Sequence, residues 1–244
     1  MGAPAIYHVG ARSGAGLAGS GDRGDTASPM HLFAIPRSLN VERVTLALGY
    51  KGLPVEVSVI DPRDRSRVRD VSGQELVPVL VDDDGTVVFD SPVVIEHLEN
   101  RHPEPPLWPA DPARRAEIDI FIDWFNRVWK RPPNLIADEM SKPEPDEKRI
   151  LGWGQSMTAS LDRFERLLHG RENLFGDDFT AADCIAFPFL QYALGIDADD
   201  RHLFHRVLAR WLGTDRHPRL ADWIRRVDER PRAGDVAVHE LESS

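Results

Sequence analysis

From Met30 onward the apolar residues fall into short blocks, and each block has its own period. His31 to Ile35 is an apolar run of strand length, and Val55, Val57 and Val59 alternate with polar residues as a half-buried strand. Between them, Asn40 to Lys51 carries Val41, Val44 and Leu48 at helical spacing, with Gly52 where a left-handed cap belongs. The charged stretch from Asp61 to Asp70 reads as loop or irregular helix. Val79 to Val81 and Val87 to Phe89 flank Asp82-Asp83-Asp84-Gly85, a β-hairpin signal. Ser91-Pro92 then opens a helix to about Arg101, with the serine as N-cap and the proline at the first helical position. Strand, helix, strand, connector, strand, strand, helix predicts a mixed four-stranded sheet flanked by helices.

The pattern changes after His102-Pro103-Glu104-Pro105-Pro106, a stiff linker. Asp111-Pro112 is a second cap-and-proline pair, and Ile118, Phe121, Ile122, Phe125 and Trp129 form a helical stripe that Pro132-Pro133 ends. A further helix is expected near Asp146 to His169, with Ile150, Met157, Leu161, Phe164 and Leu168 inward. Thr180-Ala181-Ala182-Asp183 has capping-box spacing, with aspartate in place of glutamate. The helix it opens, Cys184 to Leu194, is apolar nearly all round and should be the central buried one. Two more helices cover roughly Ala198–Leu212 and Pro218–Glu229. The expected organisation is an α/β domain over residues 30–106 and an all-helical domain over 111–232.

Composition narrows the function. The 244 residues carry 40 acidic and 30 basic side chains, a formal net charge of −10, which argues against nucleic acid as the main partner. No run of 18 apolar residues exists, so no membrane span is expected. The single cysteine, Cys184, excludes an internal disulfide and fits a reducing, cytoplasmic compartment; on its helix it reads as a buried inert thiol. Residues 1–29 read as a flexible extension, with Met30 as an alternative natural start. Gly14-Ala15-Gly16-Leu17-Ala18-Gly19 within it matches a dinucleotide-binding glycine pattern, but Ser20-Gly21-Asp22 cannot start the helix that such a site needs. His202, His205 and His217 are too few for a metal centre, and none is expected.

Four stretches then carry a resemblance. Leu76-Val77-Pro78-Val79-Leu80 resembles the cis-proline segment of the cytosolic glutathione transferases. Asp90-Ser91 followed by Ile95-Glu96-His97-Leu98 resembles that family's Glu/Asp-Ser…Ile-x-Glu-Tyr-Leu helix. Phe179-Thr180-Ala181-Ala182-Asp183 resembles the opening of its central C-terminal helix, and Ser38-Leu39-Asn40-Val41 its first-helix entry, as in the serine or cysteine types. The likeness spans about Met30 to Arg232. It implies a thioredoxin-like domain that binds glutathione or a similar low-molecular-weight thiol, an all-helical substrate domain, and a homodimer. The activity implied is thiolate attack on an electrophilic small molecule. Thiol-dependent cis–trans isomerisation on the same fold, or a non-catalytic binding or scaffold role, are its alternatives.

The resemblance also distributes roles. Ser38, at the start of the first helix, would donate its hydroxyl to the sulfur and favour thiolate over thiol; its other reading is a turn residue before an Asn40 cap. Val77 and a cis Pro78 would offer backbone groups to a peptide-like ligand as an added strand. Ser91 and the amides after it would hold a carboxylate, while Asp90 pairs with an ammonium. Leu76 departs from the pattern, since some classes place a polar residue there. Thr180 and Asp183 would be a structural cap. Trp124 and Arg127, on the first long helix, are the expected substrate contacts.

Overall fold

The computed structural model describes residues 29–234, which cluster into two compact units: residues 29–102 with 232–234, and residues 103–231. The glycine motif and the expected extension, up to its last residue, lie outside the described residues.

In the first unit, β1 (His31–Ala34), β2 (Glu56–Val59), β3 (Val79–Val81) and β4 (Val87–Phe89) form one mixed sheet in the order β2-β1-β3-β4. β1 runs parallel to β2 and antiparallel to β3, which pairs antiparallel with β4. The register sets Phe33 opposite Val79 and Val79 opposite Phe89. The end of β1, the start of β3 and the end of β4 therefore meet at one edge of the sheet. Ligands of open α/β sheets commonly sit beyond such a convergence.

Helix α1 (Leu39–Lys51) buries Val41, Val44, Ala47 and Leu48, and Gly52 closes it at φ 66, the left-handed position that glycine adopts without steric cost. Helix α3 (Ser91–Arg101) packs against it. The two are pinned at their far ends by the buried Lys51–Glu99 pair at 2.7 Å, and Lys51 also donates to the His102 carbonyl. The stretch expected as loop or irregular helix resolves into a short helix, α2 (Ser66–Ser72). Residues 232–234 rejoin this unit, where Ala233 N–H donates to the Thr45 carbonyl and Arg232 pairs with Glu42.

The second unit is helical: α4 (Pro112–Trp124), a π-helical turn (Phe125–Trp129), α5 (Arg131–Met140), α6 (Glu147–Leu167), α7 (Ala181–Leu190) with a 3₁₀ turn to Leu194, α8 (Leu203–Trp211) and α9 (Pro218–Asp228). Helix α7 is buried at every position, as its all-round apolarity requires. Its own Phe187 and Phe189 pack edge to face on Trp223 and Phe125.

Three expectations on element starts need correction. Pro132-Pro133 does not end a helix but lies in the first turn of α5, where a missing N–H costs nothing. Ser91 is not the N-cap of α3; it is the first helical residue, and Asp90 is the cap. Helix α1 begins at Leu39, so Ser38 and not Asn40 caps it. The last two shifts, one residue at α3 and two at the α1 cap, move both serines relative to the helix ends.

Candidate functional site

The turn that enters α1 is built by its sequence. Ile35 C=O accepts from Ser38 N–H at 3.2 Å, with Pro36 and Arg37 between them and Arg37 at φ 61. Proline followed by a positive φ is the type II turn arrangement, here with arginine where glycine is favoured. Ser38 lies beyond it in extended backbone, half-buried, and its Oγ accepts the Val41 N–H at a long 3.4 Å. The hydroxyl proton finds no acceptor among the described residues. A cap that uses only a lone pair keeps its donor for something else.

At the same sheet edge the Val77–Pro78 peptide is cis, as expected, with Pro78 buried and Val77 half-buried. Neither the N–H nor the C=O of Val77 is paired among the described residues. Leu76 projects beside it, 71% exposed.

The third segment is the start of α3. Asp90 is exposed and held at φ 70, ψ 117. Asp90 and Arg37 are the only non-glycine residues with positive φ among the described residues, and each immediately precedes one of the two serines. Such a conformation costs of order 1–3 kcal/mol and persists where surrounding structure over-determines it, commonly at ligand sites. Ser91 is buried, and its Oγ accepts from Arg43 Nη1 at 3.3 Å. Its own backbone N–H has no protein partner among the described residues.

Arg43 is the residue that sequence reasoning missed. It is 1% exposed on α1 and sets a guanidinium charge beneath the α3 N-terminus. That charge adds to the positive end of the helix dipole and raises the site's preference for an anion. Its neighbours Val41, Val44, Ala47 and Leu48 form the buried face of α1, and the arginine is buried with them where α1 meets α3.

In the helical unit, Thr180 and Asp183 close the start of α7. Asp183 Oδ2 accepts from Thr180 N–H and Oγ1–H at 2.9 and 2.8 Å, while Oδ1 accepts from Leu174 N–H and Trp223 Nε1–H at 3.0 and 2.9 Å. Burial pushes this carboxyl above the ordinary aspartate range, against the downward pull of the four bonds. With every lone-pair direction used, it has nothing left for a ligand.

Trp124 lines a cavity of about 890 Å³ between α4 and α6 and a smaller one of about 330 Å³ beside it. Arg127 lines neither; it is 79% exposed and pairs with Asp123 one turn back. Among the histidines, His205 Nδ1 bonds buried Asp200 at 2.8 Å and His217 Nε2 bonds Asp162 at 2.9 Å. The carboxylates of Asp82, Asp83 and Asp84 lie close enough to share an ion, but Arg101 pairs with all three.

The chain matches the description "Glutathione S-transferase, N-terminal domain" over residues 32–106 and "Glutathione S-transferase, C-terminal domain" over residues 113–226. It is 39% identical over 183 residues to a maleylacetoacetate isomerase of Pseudomonas aeruginosa, covering 69% of this chain and 85% of that one. It is 31% identical over 159 residues to the FtsZ-localized protein A of Caulobacter vibrioides, covering 61% and 70%. Among solved structures, a glutathione S-transferase of Methylobacterium radiotolerans in complex with glutathione sulfonate superposes with a TM-score of 0.65 at 26% identity, over 84% of this chain and 92% of that one. With both domain descriptions matched in order across most of its length, the chain belongs to the glutathione S-transferase family.

Proposed function

We propose that the protein is a thiol-activating enzyme that uses glutathione, or a thiol of like shape, against an electrophilic small molecule, with Ser38 as the catalytic residue. The observation that carries this reading is the unspent Ser38 hydroxyl at the N-terminus of α1. A donor there, added to the helix dipole, stabilises a sulfur anion over the thiol and lowers its pKa. The thiol proton leaves to solvent, and the sulfur lone pair forms the new bond to the electrophilic carbon as the leaving group departs with its electrons. Around that step the chain's own groups orient the thiol. Val77 pairs N–H and C=O with the peptide part. The Ser91 N–H and hydroxyl, backed by Arg43, take a carboxylate, and Asp90 takes the ammonium. Trp124 is the proposed substrate contact in the helical unit, and a homodimer is the proposed assembly.

A second reading is favoured by the maleylacetoacetate isomerase relative. There the same Ser38-stabilised sulfur adds to a cis alkene, allows rotation about the resulting single bond and leaves unchanged. Both readings share one test. Glutathione at about 100 times its dissociation constant should add about 2.7 kcal/mol of stability, read as a rise in unfolding temperature. Turnover of 1-chloro-2,4-dinitrobenzene by absorbance, against isomerisation of a maleyl substrate by proton NMR, separates the two. Absence of a thermal shift with every small thiol would sink both and leave a binding or scaffold role.

A further inference from the structure

We infer that Ser58, His31 and Glu56 form a second reactive centre: a serine nucleophile with its base and an orienting carboxylate, set to hydrolyse small carboxylic esters without any thiol. It is built wholly within the first unit, where β1 begins. The thiol-binding segments lie at the other end of β1, so the two sites stand or fall separately.

Strand register makes the cluster. Alternate side chains of a strand share a face, and the parallel pairing sets His31 beside Glu56 and Phe33 beside Ser58. All four therefore project from one face of the sheet. Helix α2 covers one end of that face, where its Val68 is buried with Phe33 and Ile60. At the other end the His31 and Glu56 side chains are 31% and 66% exposed, which leaves them open to a small substrate.

The distances fit a proton path. Ser58 Oγ lies 2.8 Å from His31 Nε2, the reach that a nucleophile and its base require. His31 Nδ1 faces Glu56 Oε2 at 3.8 Å. A carboxylate on that side favours the imidazole proton at Nδ1 and leaves Nε2 to accept the Ser58 hydroxyl. Arg67 of α2 agrees from the serine side. Its Nη2–H donates to Ser58 Oγ at 3.5 Å, and a guanidinium only donates, so it occupies a lone pair and leaves the hydroxyl proton for His31. The same charge lies beside the nucleophile, where an oxyanion would form.

The reaction these groups serve is acyl transfer. Ser58 Oγ bonds to the ester carbonyl carbon as its proton passes to His31 Nε2, and the C=O π pair moves onto the oxygen. When that pair returns, the bond to the alkoxy oxygen breaks. The alkoxy group leaves with the bonding electrons and takes the proton from His31. Water then repeats the sequence on the acylated Ser58, giving its proton through His31 and releasing the carboxylic acid.

The test uses the full chain with every thiol left out. p-Nitrophenyl acetate should be hydrolysed faster than in buffer, read as p-nitrophenolate absorbance. Diisopropyl fluorophosphate should stop that hydrolysis as one equivalent adds to Ser58, located by peptide mass spectrometry. Ser58→Ala should return the rate to that of buffer, and His31→Gln should lower kcat at least about a hundredfold, the usual share of a positioned base. Glu56 is a positioning residue. Glu56→Gln should lower kcat about tenfold while KM and the unfolding temperature hold, and Glu56→Asp should recover part of the loss. A rate no greater than that of buffer, the phosphoryl label on another residue, or hydrolysis that survives Ser58→Ala would overturn the inference.

Discussion

The starts of α1 and α7 are both helix caps opened by a hydroxyl residue, and they are put to opposite uses. At α7 the Asp183 carboxylate is fully buried and accepts four hydrogen bonds, from Thr180, Leu174 and Trp223. At α1 the Ser38 hydroxyl is half-buried, accepts one long bond from Val41 N–H, and keeps its proton. Residue type does not separate a structural cap from a candidate site here. Unused hydrogen-bonding capacity does. A saturated cap converts its polar groups into stability. A cap with a spare donor, next to backbone held at positive φ, gives up some stability to keep a group available.

Substitutions can break that contrast. The largest effect belongs to Asp183→Ala, which strands the Trp223 and Leu174 donors in the interior and should destabilise the chain by roughly 3–5 kcal/mol. Chemical denaturation measures it, and a loss below about 1 kcal/mol would show that the network is dispensable. By contrast, Ser38→Ala should cost about 0.5–1 kcal/mol of stability at most, the lower end for a lost cap.

Next in size is Arg43. Arg43→Met should raise the KM for glutathione about tenfold with kcat little changed, because it removes a charge-assisted partner of Ser91 and not a group on the sulfur. Ser91→Ala in that background should add little further, since the two act as a unit. Additive losses would separate them.

The smallest effect tests a paired group in the helical unit. The His217 hydrogen bond holds the Asp162 carboxyl below the usual aspartate range. A depressed folded-state pKa stabilises above the unfolded value and loses that contribution as pH falls through the folded one. Asp162→Asn should therefore flatten the acid limb of the stability profile. An unchanged limb would mean that the bond does not survive in solution.

Much of this contrast was legible in the sequence. Hydrophobic period and turn residues located the four strands and the helices at α1, α3, α4, α6, α7, α8 and α9, and Thr180–Asp183 had the spacing of a closed cap. What was not legible depended on position within a helix end. Pro132-Pro133 has the same local chemistry whether it stops one helix or starts the next, and only packing of Pro133 and Ile136 decides that it starts one. Ser91 lies one step, and the α1 cap two steps, from where pattern alone set them, because each serine follows a residue whose backbone angle arginine and aspartate rarely adopt. Arg43 was hidden by the general rule that arginine is solvated; its burial follows from the three-dimensional meeting of α1 with α3. Arg127 shows the converse, an arginine on a promising helix that points to solvent.

The central claim is that the Ser38 proton is reserved for a sulfur anion. Ultraviolet absorbance titration of bound glutathione in the unaltered chain and in Ser38→Ala tests it directly. Loss of one hydrogen bond to a charged atom, about 1.5–3 kcal/mol, should raise the bound thiol's pKa by about one to two units while affinity for the thiol barely changes. Superimposable titration curves, with glutathione bound in both, would contradict the claim and return Ser38 to the same purely structural role that Asp183 has.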